Sequence, residues 1–185
     1  SAASDVYKRQ ELEAVMEKVA ELSEELMPLD VLVVDDPTLR RNVEEAHEAL
    51  HMCVETRTKR FDESNAAVPP AKLAEYIGEL RACAEELGLT LHLFGHAGDG
   101  NLHIYCCAND MELDEFKRRS KAVMDKCYAK CTEFGGQVSG EHGIGIAKRP
   151  YFFEQMSEVN LELMRGIKDS LDRKHLLNDH ISYLK

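Results

Sequence analysis

Thr90-Leu-His-Leu-Phe-Gly-His-Ala-Gly-Asp-Gly-Asn-Leu-His-Ile-Tyr-Cys-Cys107 decides how this chain folds. Thr90 to Phe94 alternates in the manner of a half-buried strand, and Leu102 to Cys107 is strand-like again. The glycine-rich run Ala97 to Asn101 joins them as a turn, with Gly95, Gly98 and Gly100 able to take positive φ or admit close backbone approach. If both flanks are strands, that turn brings His96 and His103 close together.

Around this hairpin the pattern is helical. From Gln10 to Met27 the apolar residues Leu12, Val15, Met16, Val19, Leu22 and Leu26 recur at helical spacing, and Pro28 ends the run. Residues 1–10 fit nothing downstream and read as a tail or an appended leftover, so the domain is expected over 11–185. Val31 to Val34 is a short β-branched segment, strand or packed loop. Asp36-Pro37 opens a second helix running to about Lys59, with Pro37 at a first-turn position. Asp62 to Ala67 is polar and reads as a loop. Val68-Pro69-Pro70 introduces a third helix carrying Leu73, Ile77, Leu80 and Leu87, for which Gly88 is the C-terminal cap. A long helix is expected from about Leu113 to Phe134, stopped by Gly135-Gly136, and a last one from Glu158 to Leu171. Helices between a few short strands predict an α+β sandwich, with helices on one face of a mostly antiparallel sheet.

The chain has 185 residues, 44% hydrophobic and 31% charged, which suits a single packed domain. With 34 Asp+Glu against 23 Lys+Arg its formal net charge is −11, which opposes binding along nucleic-acid phosphates. Aromatic residues are 6% with no Trp, a poor basis for base stacking. No apolar run is long enough to span a bilayer, and Ser1 to Gln10 lacks the apolar stretch of a secretory signal. Cys53, Cys83, Cys106, Cys107, Cys127 and Cys131 form no Cys-x-x-Cys pair, so they read as small apolar side chains kept reduced, with the cytoplasm as the expected location.

A second unusual segment is Gly135-Gly-Gln-Val-Ser-Gly-Glu-His-Gly-Ile-Gly145, where Glu141 and His142 sit side by side among glycines. Two imidazoles and a carboxylate form a recurrent set for a catalytic divalent metal with positions left open for substrate, and a further His beside them can act as general base. The competing reading is ordinary histidines in glycine turns; no His-Glu-x-x-His is present. Other constellations are weaker. His47 and His51, with Glu44 and Glu48, suit a solvated helix face as well as a metal. Gly98-Asp-Gly-Asn101 lacks the Gly-Lys-Ser/Thr ending of a phosphate loop, and Ser139 lacks the Gly-x-Ser-x-Gly elbow of a serine hydrolase.

Residues 94–103 and 135–145 resemble the C-terminal domain of FAD-linked oxidases, the family of the glycolate oxidase flavin subunit, D-lactate dehydrogenase and D-2-hydroxyglutarate dehydrogenase. Ala67-Val-Pro69, Lys148-Arg-Pro-Tyr151 and Leu163-Met-Arg-Gly-Ile-Lys168 extend the likeness, which runs from about residue 11 to 178. The resemblance implies a ferredoxin-like substrate or cap domain of an enzyme that oxidises a small 2-hydroxy acid to a 2-keto acid. It implies FAD, held mainly by a separate N-terminal domain absent from these residues, and a divalent metal, zinc or iron, on His96, His103 and Glu141. It further implies His142 as the base, Asn178 beside the flavin, and an electron-transfer flavoprotein or other redox partner.

Some positions depart from the family pattern. Leu171-Asp-Arg-Lys-His-Leu-Leu-Asn178 lacks the family's prolines and glycine, and no Arg lies between Ala46 and Leu50, where some members bind the substrate carboxylate; Arg57 is a more distant candidate. Tyr105 stands where the hydroxyglutarate enzymes carry Asn, which points to a smaller acid such as lactate or glycolate. Alone, such a chain is expected to be inactive in flavin chemistry. The alternatives are a non-enzymatic metal- or partner-binding remnant, or a flavin-free metal hydrolase using the same residues.

Overall fold

A computed structural model describes residues 2–27, 31 and 34–178, with side chains from residue 10 onward. The chain divides into two compact units, Ser1–Ala49 and Leu50–Lys185. The first is helical: α1 (Ala2–Leu26) followed by most of α2 (Pro37–Arg57). Asp36 caps α2 through its side chain, which accepts from the amides of Thr38 (2.9 Å) and Leu39 (2.8 Å). The helix expected from Gln10 thus starts at Ala2. The centre of the Val31–Val34 segment lies outside the described residues.

The second unit contains the sheet. Its strands are β1 (Arg60–Ala67), β2 (Thr90–His96) and β3 (Asn101–Ala108), ordered β1-β3-β2 and antiparallel throughout. A 3-10 turn (Pro70–Lys72) leads into α3 (Leu73–Glu86), and α4 (Leu113–Glu133), α5 (Arg149–Gln155) and α6 (Glu158–Leu171) follow. Gly88, at φ 66°, closes α3 as expected, its amide donating to the Glu85 carbonyl. The short α5 was not expected from the sequence. Pro150 in its first turn, which costs no hydrogen bond there, is the signal that marks it.

The strand β1 corrects the loop expected over Asp62–Ala67. Its Asp, Glu, Ser and Asn have low strand propensity, but every residue of Arg60–Ala67 pairs with β3, from Arg60 opposite Ala108 to Ala67 opposite Asn101. The polar side chains find partners of their own. Asp62 accepts from the Ser120 hydroxyl of α4 at 3.0 Å, and Ser64 shares a hydrogen bond with the Tyr128 hydroxyl. Tertiary partners, not intrinsic preference, make this segment a strand.

Alternation gives the sheet two unlike faces. Ala66, Leu102, Ile104 and Cys106 join Tyr76, Leu80 and Ala84 of α3 and Val123, Cys127 and Cys131 of α4 in the main core. The Tyr76 hydroxyl is buried there and donates to the Cys127 carbonyl at 3.1 Å. On the other face Tyr105 and Cys107 are covered by Val54 of α2, with Phe94 beside them. All six cysteines are free thiols: four are buried, Cys83 half-buried and Cys53 exposed. No helix among the described residues is long and apolar enough to cross a membrane.

Candidate functional site

The register puts Asn65 opposite His103, Phe94 opposite His103, and Glu63 and His92 opposite Tyr105. Directly opposed residues share a face, so Glu63, Asn65, Phe94, His96, His103 and Tyr105 all project away from α3 and α4. The hairpin turn is tight: the Asp99 amide donates to the His96 carbonyl at 3.0 Å. Gly100 takes φ 70°, and a Cβ there would lie 1.7 Å from the Val68 carbonyl oxygen, so the turn admits no side chain at that position. This turn sets His96 and His103 edge to face, with ring centroids 5.9 Å apart.

The segment 136–141 arrives from α4 and docks on the end of β1. Ala67 and Gln137 exchange both backbone hydrogen bonds, at 3.0 and 2.7 Å. Glu141 then reaches the two histidines: one carboxylate oxygen is 2.9 Å from His103 Nε2 and the other 3.9 Å from His96 Nε2. His142 stands beside them, its ring centroid 4.8 Å from that of His103. The ligand atoms of His96, His103 and Glu141 lie within 4.8 Å of one another, close enough to converge on one ion. The residues singled out in the sequence are therefore brought together, with the exception of Asn178. That residue follows α6 with a left-handed φ of 54° and has no hydrogen bond or ion pair to the cluster among the described residues.

Glu63 was missed by the sequence reasoning. Its carboxylate lies 3.4 Å from His142 Nδ1 and 4.0 Å from His103 Nδ1, forming a second convergent group with those two imidazoles. Its signal was its place in the polar run 62–67, two residues before Asn65, a spacing that shares a face only if that run is a strand. Ser139 does not meet His142; its hydroxyl accepts from Lys148 Nζ at 3.2 Å. His51 is likewise engaged, with Nδ1 at the Tyr105 hydroxyl and Nε2 3.2 Å from Glu55.

The environment tunes these groups. His103 is the most enclosed imidazole of the cluster, with its side chain 12% exposed. Burial, then the neighbouring His142, lowers its pKa and keeps it neutral, the form that offers a lone pair to a metal. Burial and the adjoining Glu63 push the Tyr105 phenol up, so it remains a hydroxyl. Phe94 stacks between the rings of His103 (5.6 Å) and Tyr105 (5.2 Å), giving the site an aromatic wall. Lys148, buried beneath the docked segment, is lowered to about 8, chiefly by desolvation.

Helices packed on one sheet face and a histidine–carboxylate cluster on the other define an α+β domain. Residues 3–180 match the family described as FAD linked oxidases, C-terminal domain, and the chain belongs to that family. It is 42% identical over 177 residues to a D-lactate dehydrogenase of Anaerostipes hadrus, covering 96% of this chain and 37% of that protein. A D-lactate dehydrogenase of Archaeoglobus fulgidus is 35% identical over 164 residues, 88% of this chain and 35% of that protein. The glycolate oxidase subunit GlcD of Bacillus subtilis is 32% identical over 114 residues, 62% of this chain and 24% of that protein. The matched residues thus span from about a quarter to a little over a third of the length of these relatives.

Proposed function

We propose that this chain is the substrate- and metal-binding domain of an FAD-dependent 2-hydroxy acid dehydrogenase of the D-lactate or glycolate type. The observation that carries the proposal is the convergence of His96, His103, His142, Glu141 and Glu63 on the open sheet face. In this reading His96, His103 and Glu141 hold a divalent metal, zinc or iron. A bound metal supplies Lewis acidity at the substrate hydroxyl, and FAD, held mainly by another domain, supplies the hydride acceptor.

The chain's own residues do the rest. His142 takes the hydroxyl proton on Nε2. Glu63, 3.4 Å from Nδ1, holds a proton there, and with Glu141, 3.6 Å from Nε2, committed to the metal, Nε2 is left to accept. His103 stays neutral because it is enclosed, and Phe94 fixes its ring plane by stacking. Loss of the hydroxyl proton and of a hydride from C2 converts the 2-hydroxy acid into the 2-keto acid. The wall of Phe94 and Tyr105 suits a hydrogen or methyl substituent on C2 better than a second carboxylate, in keeping with lactate or glycolate. In this reading Asn178, just after α6, would lie beside the flavin, as the family resemblance implies.

The test is metal content by mass spectrometry for the chain and for a His96→Ala/His103→Ala variant. About one equivalent in the first and little in the second is expected; equal metal in both removes the site. Exchanging this chain for the matching segment of the Anaerostipes hadrus enzyme should restore D-lactate oxidation to an artificial acceptor, and His142→Ala in that chimera should abolish it while leaving metal bound. Retained oxidation in His142→Ala would overturn the base assignment.

A further inference from the structure

We propose that Asn65 is a positioning residue, a buried latch that holds the Gly140–Glu141 turn so that the Glu141 carboxylate meets His103. The inference rests on the reading of Glu141 as a metal ligand and concerns how that ligand is placed.

Asn65 is fully buried, an unusual place for an amide unless its polar atoms are all engaged. Its side-chain oxygen accepts from two consecutive amides, Gly140 N at 2.8 Å and Glu141 N at 3.2 Å. Its side-chain nitrogen donates to Asn101 Oδ1 at 2.5 Å and to the Leu102 carbonyl at 3.5 Å. Its backbone carbonyl accepts from Lys148 Nζ at 2.9 Å, and the same ammonium donates to Ser139 in the docked segment. One residue of β1 therefore ties together β3 and the segment carrying Glu141.

The fit is close. A Cβ on Gly140 would lie 2.2 Å from Asn101 Oδ1, so the segment approaches the Asn65–Asn101 pair as nearly as a glycine backbone permits. The anchored amide belongs to Glu141 itself, so any slack at Asn65 moves the carboxylate directly. The carboxylate side chain is itself nearly half exposed, so its place depends on the backbone that carries it. Buried networks of this kind specify one geometry when every member is satisfied. Partners of this sort behind a metal ligand contribute roughly 10–100-fold in affinity.

The experiment titrates the full chain and its variants with Co²⁺, following the visible ligand-field band, and measures thermal melting without metal in parallel. Asn65→Ala should bind Co²⁺ at least tenfold more weakly than wild type, with an altered band, while still melting cooperatively. Asn65→Asp keeps the acceptor for both amides and loses only the donor to Asn101 and the long contact to the Leu102 carbonyl. It should bind within about threefold of wild type, the Asn101 amide turning to donate.

Amide exchange by NMR gives a readout independent of metal: Gly140 and Glu141 should be protected in wild type and exchange freely in Asn65→Ala. Wild-type affinity or wild-type protection in Asn65→Ala overturns the latch and leaves the metal reading intact. If Asn65→Ala does not fold, Asn65→Asp decides, and a tenfold loss there overturns the latch. Co²⁺ binding in wild type no different from that in His103→Ala would instead remove the metal reading on which the latch depends.

Discussion

The two faces of one strand teach different lessons. Along β3, Leu102, Ile104 and Cys106 point into a dry core between α3 and α4, whereas His103 and Tyr105 point to a face where each polar group answers another. On the first face identity matters little beyond size and apolarity, because the stabilisation comes from area removed from water. On the second, donors and acceptors are matched one by one, and an exchange that removes the acceptor or donor in use destroys the match whatever its size. Stability should therefore reside on the helix-packed face and chemistry on the other.

The sharpest way to break this contrast is to substitute neighbours on opposite faces. Ile104→Ala should cost about 2–5 kcal/mol in urea denaturation, since Ile104 is fully buried, and leave metal bound per folded molecule unchanged. His103→Ala should do the reverse, with metal affinity falling at least about tenfold and stability changing by roughly 1 kcal/mol or less. A large stability loss in His103→Ala with metal retained would erase the division of labour.

Lys148 sharpens the comparison because it is a charge buried under the functional face. Its pKa in the folded chain is lowered from 10.5 to about 8, so between those values the unfolded chain holds a proton that the folded chain has released. The unfolded state binds more protons there, and the Lys148 contribution to stability rises with pH across that window, by about 2–3 kcal/mol. Below pH 8 both states are protonated and the burial cost is fully present. Burial raises the Cys127 and Cys131 thiols to about 12 and about 11, which acts in the opposite direction above pH 9, so the quantity to measure is the difference between wild type and Lys148→Met. A difference that does not change between pH 8 and 10 would contradict the lowered pKa.

The smallest effect concerns the thiols. Cys53 is exposed, Cys83 half-buried, and the other four buried, so an aromatic disulfide reagent should label Cys53 first, Cys83 slowly, and the remainder only on unfolding. Early labelling of Cys106 or Cys107 would show that the sheet faces are less closed than described.

The elements that were legible in the sequence share one property: their signals are local. The hairpin over 90–107 follows from alternation and a glycine turn, α6 from helical spacing, and the end of α3 from Gly88. The pairing of His96 with His103 follows from the hairpin alone. Where the sequence misled, the cause was not local. Asp62–Ala67 carries no strand signal because its order comes from β3, α4 and Tyr128, so Glu63 stayed hidden with it. The convergence of Glu141 on His103 across 38 residues of chain could be suspected from composition but not placed.

By itself, then, the sequence determined the residue types of the site, the hairpin that pairs two of them, and the α+β class, because turn chemistry and periodicity act between near neighbours. The tertiary structure alone decided that a polar run becomes the strand β1, that Glu63 joins the histidines, and that Asn65 grips the turn before Glu141. Those outcomes depend on hydrogen bonds between segments far apart in the chain, whose free energy appears only when both partners are buried together.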